Sequence, residues 1–462
     1  MLEASILHAP AYEVSIKRDD DLQIYLTTKC NGDAKNYSTH HPLGTVRENG
    51  DSTKLVCKLN NYEVLLKGIG STSTSKSDDF QTGTLIKETV EIHAVEGNFK
   101  SADSGEYLFE WIQNIDVSYY HWPHSVEFNR EEKFSLNFDK ESSGLSFSAT
   151  GKNSTFGRVS VHLVIDGYEL WLSKIEDKKS QKEGGCGFIL YKDCPSEDVR
   201  KKIRNCISFA LGRPLAYLGN TILDSEYSLV SFYAISAYNY DGKANGLPTS
   251  PPVFLGVNFI HELNEVKFHR LVDGLYHIYD EYNLGFLFWQ YWHAVCSPVH
   301  SAPVQFGASI EALRKSILEK NQGKIKAVIL EKPDWKIFLE GARSMLECLD
   351  IDASSKTVIK NKIGSLNQAP QSIVTERLYE FLNLEFTALE RAAWERRNHS
   401  AHGKAIEDGE YINLIRDIKV LKVLLHRLLI RLSRGSDDYI DYFSLSHPIR
   451  KIKIRVPSES NN

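Results

Sequence analysis

The sequence reads as an α+β protein, a β-rich N-terminal region followed by a C-terminal all-α helical bundle. Over about the first 190 residues, apolar positions alternate or gather in short β-branched runs, the pattern of half-buried strands. From Val266 almost to Arg434 they recur at three- and four-residue intervals, the spacing of one helix face. The chain also has 462 residues, more than one hydrophobic core usually serves.

The strand-like runs are residues 22–27, 54–59, 62–66, 84–94, 133–138, 159–166 and 168–175. Turn chemistry separates them at Glu48-Asn49-Gly50, Asp166-Gly167 and Glu183-Gly184-Gly185. Many short strands at this spacing predict a sandwich or a barrel-like sheet. The polar stretch 71–79 reads as a mobile loop. A helix is expected near 196–211, where Ser196 can cap a segment with Val199, Ile203, Cys206 and Ile207 at helical spacing. Ser250-Pro251-Pro252 marks a turn or linker.

Four later helices follow from their apolar stripes. Phe306, Ile310, Leu313 and Ile317 form the first; Trp335, Phe338, Leu339, Ala342 and Leu346 the second, opened by Pro333. The third starts after Pro370 and carries Leu378, Phe381, Leu382, Phe386, Leu389 and Ala393; the fourth runs from Ile415 to Leu432. Isolated helices cannot bury such stripes, so an antiparallel bundle is the natural solution. The expected layout is a β-rich recognition or sensor region at 1–255, linking helices at 256–300, the bundle at 301–447 and a basic tail at 448–462.

Composition narrows the class. Hydrophobic residues at 42% and charged residues at 25% are normal for globular chains. Abundant Tyr and Phe with only 2 Met favour packed cores over a plastic binding surface. No run approaches the roughly eighteen uncharged apolar residues of a membrane span, and the first residues lack the layout of a signal peptide. A soluble, cytoplasmic protein with no membrane partner is therefore expected. The 7 cysteines are scattered and never form C-x-x-C, which predicts reduced, mostly buried thiols and no cysteine-based metal site. Net charge is −5, but residues 391–462 hold 14 Lys+Arg against 9 Asp+Glu, leaving 41 against 51 in the rest. A polyanion would meet the basic C-terminal end, although basic helix faces are also commonly just solvated.

Chemistry concentrates between the third and fourth bundle helices, in Glu395-Arg396-Arg397-Asn398-His399-Ser400-Ala401-His402-Gly403. On an ideal helix Arg397 and His402 lie about 140° apart, so they converge only if the helix ends near His402, and Gly403 makes that ending plausible. The Arg guanidinium is always charged and forks onto two phosphate oxygens. A His takes and returns protons near neutral pH. Together they suit attack by an RNA 2′-hydroxyl on the neighbouring phosphate, with His402 as general base or acid and Arg397 stabilising the phosphorane-like transition state. Because the nucleophile belongs to the substrate, neither a metal nor another cofactor is called for. Asn398 cannot titrate and would orient a neighbour. Arg396, His399 and Lys404 are further candidates for RNA contact, and Arg396 also offers a rival register. The same residues would equally serve as a basic helix end that offsets the macrodipole.

The segment resembles the HEPN superfamily, whose signature is Arg, a polar residue, then His four to six positions on, often followed by Gly. Arg397, Asn398, His402 and Gly403 match it in order, and Asn398 in the polar position favours Arg397 over Arg396. Ile310-Glu311-Ala312-Leu313 looks like the early helix of that bundle, and Leu421 to Leu432 like its long final helix. Gly435-Ser436-Asp437-Asp438-Tyr439-Ile440-Asp441-Tyr442 is similar to the end of the ApeA-like branch, found in abortive phage defence. The resemblance covers about residues 285–445, and the N-terminal part by layout alone. It implies a metal-independent endoribonuclease in antiviral defence, with tRNA among the candidate substrates and a phage-derived trigger read by the N-terminal region. It also implies a homodimer or higher even oligomer that assembles the site from two protomers. The rival readings are a non-catalytic HEPN scaffold for dimerisation or RNA binding, and a toxin–antitoxin component.

Other groups carry less. His121-Trp122-Pro123-His124 lacks carboxylate or Cys partners nearby in sequence and reads as a packed loop, not a metal pair. Phe286, Phe288, Trp289, Tyr291 and Trp292 could stack bases, but at helical spacing they fit a seam between the two domains better. The tail from Arg450 to Val456 alternates like an edge strand.

Overall fold

Period-two patterning builds the first half of the chain. The computed structural model describes residues 11–19, 21–31, 55–59, 62–79, 83–101, 104–115, 120–138, 145–175, 186–236, 249–257, 260–401 and 409–453. Its first elements are strands β1 (Ala11–Arg18), β2 (Ile24–Asn31), β3 (Leu55–Leu59), β4 (Tyr62–Asp79), β5 (Gly83–Asn98), β6 (Tyr107–Ile112), β7 (His124–Phe138), β8 (Leu145–Ile165), β9 (Tyr168–Lys174) and β10 (Gly187–Tyr191). Helix α1 (Glu197–Leu211) follows, then β11 (Tyr217–Leu223), β12 (Leu229–Ile235), the short ribbon β13 (Gly256–Val257) and β14 (Ile260–Leu263), and α2 (Glu265–His277).

Strands β1 to β12 form one antiparallel sheet in the order β1-β2-β5-β12-β11-β6-β10-β9-β8-β7, with β4 beside β5 and β3 beside β4. The strand spacing that suggested a sandwich or barrel-like sheet corresponds to this continuous sheet, in which the long β5 pairs with β2, β4 and β12. Ile24, Leu26, Leu66, Val90, Ile92 and Val95 pack as one core cluster on it. Asp166 and Gly167, both at positive φ (50° and 84°), make the tight turn from β8 to β9. Residues 71–79 correct the expected loop: they continue β4 and pair with β5 from Thr72↔Val90 to Asp79↔Gly83. Polar side chains hid a strand that its neighbour's ladder holds in place.

Helix α1 matches its expected position. Ser196 Oγ accepts from Val199 N at 3.5 Å, and Gly212 closes the helix in the left-handed region at φ 70°. One face carries Arg200 and Arg204, whose Nη1 atoms donate to the fully buried Glu110 of β6 at 2.9 and 2.5 Å. That carboxylate in the middle of β6 broke the apolar pattern, so sequence reasoning passed over β6. In the loop at residues 121–124, Trp122 is buried and His124 Nε2 lies 3.0 Å from Glu265.

The chain divides into two compact units, Met1–Pro251 with Leu255–Tyr276, and Pro252–Phe254 with His277–Asn462. The second holds α3 (Leu284–Cys296), α4 (Ala302–Lys320), α5 (Lys332–Glu347), α6 (Ala353–Ser365), α7 (Gln371–Phe381), α8 (Ala388–Ala401), α9 (Tyr411–Ser433), β15 (Asp438–Ile440) and β16 (Ile449–Lys451). No helix among the described residues is long and apolar enough to cross a membrane.

Phe306, Ile310, Leu313 and Ile317 of α4 are buried with Leu421, Leu424, Leu425 and Leu428 of α9. The aromatic run on α3 splits between core and surface. Phe288, Tyr291 and Trp292 are buried, with Tyr291 5.9 Å from the Phe306 ring and its hydroxyl 2.8 Å from His426 Nε2. Phe286 and Trp289 stack on each other and stay half-exposed. Phe288, Tyr291 and Trp292 thus pack within the helical unit. The single helix expected after Pro370 is two, α7 and α8. Asn383 at φ 52° turns the chain between them, and Leu384 N bonds back to Tyr379 O at 2.8 Å. Helix α6 has no buried residue, so it left no stripe to find.

Of the basic tail only the start is described: β16 pairs with β15, residues 452–453 follow as a turn in place of the expected continued strand, and 454–462 lie outside the described residues. Fully buried Asp441 fixes the intervening turn by accepting from Ser444 Oγ at 2.6 Å and Arg450 Nε at 2.7 Å. Cys186, Cys194, Cys206, Cys296 and Cys348 are free thiols. Only Cys206 of these is buried, so the expectation of mostly buried thiols fails for the described residues; an isolated exposed thiol carries little penalty.

Candidate active site

Helix α8 positions the Arg-rich motif, and its first turn is fixed by a reciprocal cap. Thr387 Oγ1 accepts from Glu390 N at 3.2 Å, while the Glu390 carboxylate accepts from Thr387 N at 2.7 Å. Glu390 and Ala393 are buried, and the helix packs on both α4 and α9. That seating sends the two consecutive arginines in different directions.

Arg396 reaches α9. Its Nε and Nη2 fork onto Asp417 at 2.7 and 2.5 Å, and Asp417 is almost fully buried. The bidentate bonds to that carboxylate hold the guanidinium pKa above its ordinary value. Its fork is thus filled within the protein by a nearly buried carboxylate, whereas the carboxylate that meets Arg397 is exposed.

Arg397 lies across α4. Its guanidinium carbon sits 3.4 Å from the centre of the Trp394 ring, and Nε donates to Trp394 O at 3.2 Å. Nη2 meets Glu311 at 2.8 Å, with side chains 13% exposed for Arg397 and 63% for Glu311. The contrast decides how firmly the arginine is held. An exposed carboxylate contributes about 1 kcal/mol or less, so an incoming phosphate can replace it. Gly307, one turn before Glu311, makes the arginine's path possible: a Cβ there would lie 2.5 Å from Arg397 Cδ and 2.7 Å from Nη1. A second guanidinium, Arg314 on the next turn of α4, lies 5.2 Å from the same Trp394 ring and donates to Gln371 at 3.0 Å. Burial pushes the Arg314 pKa down.

Asn398 and His399 lie on the last turns of α8, but their side chains fall outside the described residues. His402, Gly403 and Lys404 fall outside them altogether, as do Glu48-Asn49-Gly50 and Glu183-Gly184-Gly185. The chain is described again where α9 begins, with the Tyr411 hydroxyl 3.4 Å from His300 Nε2. Glu311, Trp394, Gly307 and Arg314 were not singled out as site residues. The available signal was spacing, since 307, 311 and 314 share one face of α4. Among the described residues, no three His, Cys, Asp or Glu side chains could together hold a metal ion.

No family model matches this chain, and neither a curated protein nor a solved structure is detectably similar to it.

Proposed function

We propose that the helical unit is a metal-independent endoribonuclease of the HEPN type that cleaves RNA through its own 2′-hydroxyl. The observation that carries this reading is the seat of Arg397. A nearly buried guanidinium rests on Trp394 and Gly307, and its Glu311 partner is exposed and replaceable. Such a group pays little reorganisation when a phosphate arrives and presents a planar fork to the developing charge. In the proposed cycle His402 accepts the 2′-hydroxyl proton and a His returns one to the leaving 5′-oxygen. The P–O5′ bond breaks as P–O2′ forms, leaving a 2′,3′-cyclic phosphate and a 5′-hydroxyl. The antiviral setting is supported by the sequence resemblance alone.

Gly307→Ala tests the seat without replacing a catalytic group. Its methyl displaces the Arg397 side chain, not backbone, an overpacking cost of about 1–3 kcal/mol, of which replacing a mid-helix glycine offsets about 0.5–1 kcal/mol. Cleavage should fall roughly tenfold or more, because a misplaced catalytic group loses rate steeply. Unchanged cleavage in a stable Gly307→Ala protein would count against Arg397.

One motif offers one titrating His, whereas the reaction uses a base on one side of the phosphate and an acid on the other. A homodimer with facing motifs supplies both. Support comes from the first two turns of α9, which follow the motif in sequence, where Tyr411, Ile412 and Ile415 are exposed. Mixing wild type with an excess of His402→Ala chains should then lower activity per wild-type chain. Undiminished activity in such mixtures argues for a monomeric site.

A further inference from the structure

One face of the large sheet carries a hollow. Trp111 of β6 pairs with Gly219 of β11, Gly219 pairs with Ala234 of β12, and one step along the same face Thr221 pairs with Phe232. Cross-strand partners share a face, so these five residues lie together. Gly219 has no side chain and Ala234 only a methyl, which leaves a gap in the row beside the Trp111 indole. The Phe232 ring leans the other way, over Gly97 of β5, where a Cβ would come within 2.5 Å of it, and stacks on Phe99 at 5.9 Å. The cavity lined by Trp111, Thr221, Phe232 and Ala234 has a volume of about 540 Å³, inside the roughly 300–1,000 Å³ of small-molecule sites.

The walls are mainly apolar and the indole is fixed, its Nε1–H donating to Thr221 Oγ1 at 2.9 Å. Arg18, at the end of β1, is the one charged side chain among the described residues that line the cavity, and none of them is Asp or Glu. Its Nη1 donates to Leu22 O at 2.7 Å and Ile235 O at 2.8 Å, and Nη2 to Leu218 O at 3.0 Å. Leu218 directly precedes Gly219, the partner of Trp111, so cation and indole border the same hollow.

All three acceptors are neutral carbonyls, and they use three of the five guanidinium N–H groups. The neighbouring Asp19 carboxylate is turned elsewhere: its Oδ1 accepts from Asp21 N at 3.0 Å and Gln23 N at 2.9 Å. The guanidinium is thus held in place by dipoles while its charge lacks a hydrogen-bonded carboxylate among the described residues. Burial pushes its pKa below the ordinary value, against the pull of Asp19. A partly desolvated cation of this kind gains from an arriving anion.

We propose that this cavity binds a small aromatic anion, with its ring on Trp111 and its carboxylate or phosphate on Arg18. The site is independent of the ribonuclease reading.

The test is calorimetric titration of the full-length chain with AMP and with naphthoate, each beside its less charged counterpart, adenosine or naphthamide. At least one anion should bind, and about tenfold or more tightly than its counterpart. Binding of AMP alone would assign a phosphate to Arg18, and of naphthoate alone a carboxylate. Arg18→Gln should bring the anion down to the level of its neutral counterpart. Because Arg18 also ties β1 to β11 and β12, Ala234→Leu provides a second variant: its larger side chain fills the hollow and should abolish binding with Arg18 intact. The proposal is overturned if neither anion binds more tightly than its counterpart, or if binding survives either substitution at wild-type strength.

Discussion

Arg397→Ala is expected to lower RNA cleavage by roughly 10²–10³-fold, the usual effect of removing one preorganised donor to transition-state charge. The protein should stay folded. The lost contacts are a Trp394 face and an exposed Glu311 carboxylate, together worth about 1–2 kcal/mol at a partly exposed site. Arg397→Lys should recover only part of the rate, because a point charge cannot make the bidentate contact. Arg396→Ala is expected to behave in the opposite way. It strands the nearly buried Asp417 carboxylate, so stability should drop while the folded fraction keeps most of its cleavage. Initial rates on a defined RNA, set beside urea unfolding curves, separate the two. A larger rate loss at Arg396 than at Arg397 would reverse the assignment of roles.

Arg427→Met is expected to cost about 3–5 kcal/mol, the effect of leaving one member of a buried ion pair alone. Arg427 and Glu390 are both fully buried and paired. Arg427 Nη2 also donates to Glu385 O at 3.0 Å, and its guanidinium lies 5.4 Å from the Tyr439 ring. One guanidinium thus joins α9, the turn before α8 and the β15 strand. Burial pushes the Glu390 carboxyl pKa up while the Arg427 charge pulls it back, so removing the arginine leaves only the cost of burial. Glu390→Gln alone should also destabilise, since Glu390 accepts from Thr387 N with one oxygen and from Arg427 with the other, and an amide keeps only one acceptor. The double variant Glu390→Gln/Arg427→Met should recover part of the single Arg427→Met loss. Strict additivity of the two losses in denaturant unfolding would contradict this coupling.

How legible each element was in the sequence follows from what its residues had to do. The α4 and α9 stripes and the Ser196 cap of α1 were readable because apolar residues dominate the buried faces of α4 and α9 and the cap is local. Strand β6 was not, because Glu110 sits at a buried position and is satisfied by Tyr191, Arg200 and Arg204, all far later in the chain. The break between α7 and α8 was legible in principle. Thr387 followed by Glu390 is a capping-box spacing, but Leu382 and Phe386 kept the apolar rhythm running through the turn. At the candidate site, neighbouring arginines look alike in sequence. Only the fold turns Arg396 toward Asp417 and Arg397 toward Glu311. Glu311 and Gly307 were hidden for a related reason: their role depends on α4 lying against α8, which no local pattern encodes.

The decisive measurement is the end chemistry of RNA incubated with purified protein in excess EDTA, for wild type and His402→Ala in parallel. Wild type should yield 2′,3′-cyclic phosphate and 5′-hydroxyl ends, and His402→Ala should yield them at least roughly 10²-fold more slowly. Products ending in 3′-hydroxyl and 5′-phosphate, cleavage only after Mg²⁺ or Mn²⁺ is restored, or equal rates for the two proteins would contradict the Arg397–His402 mechanism.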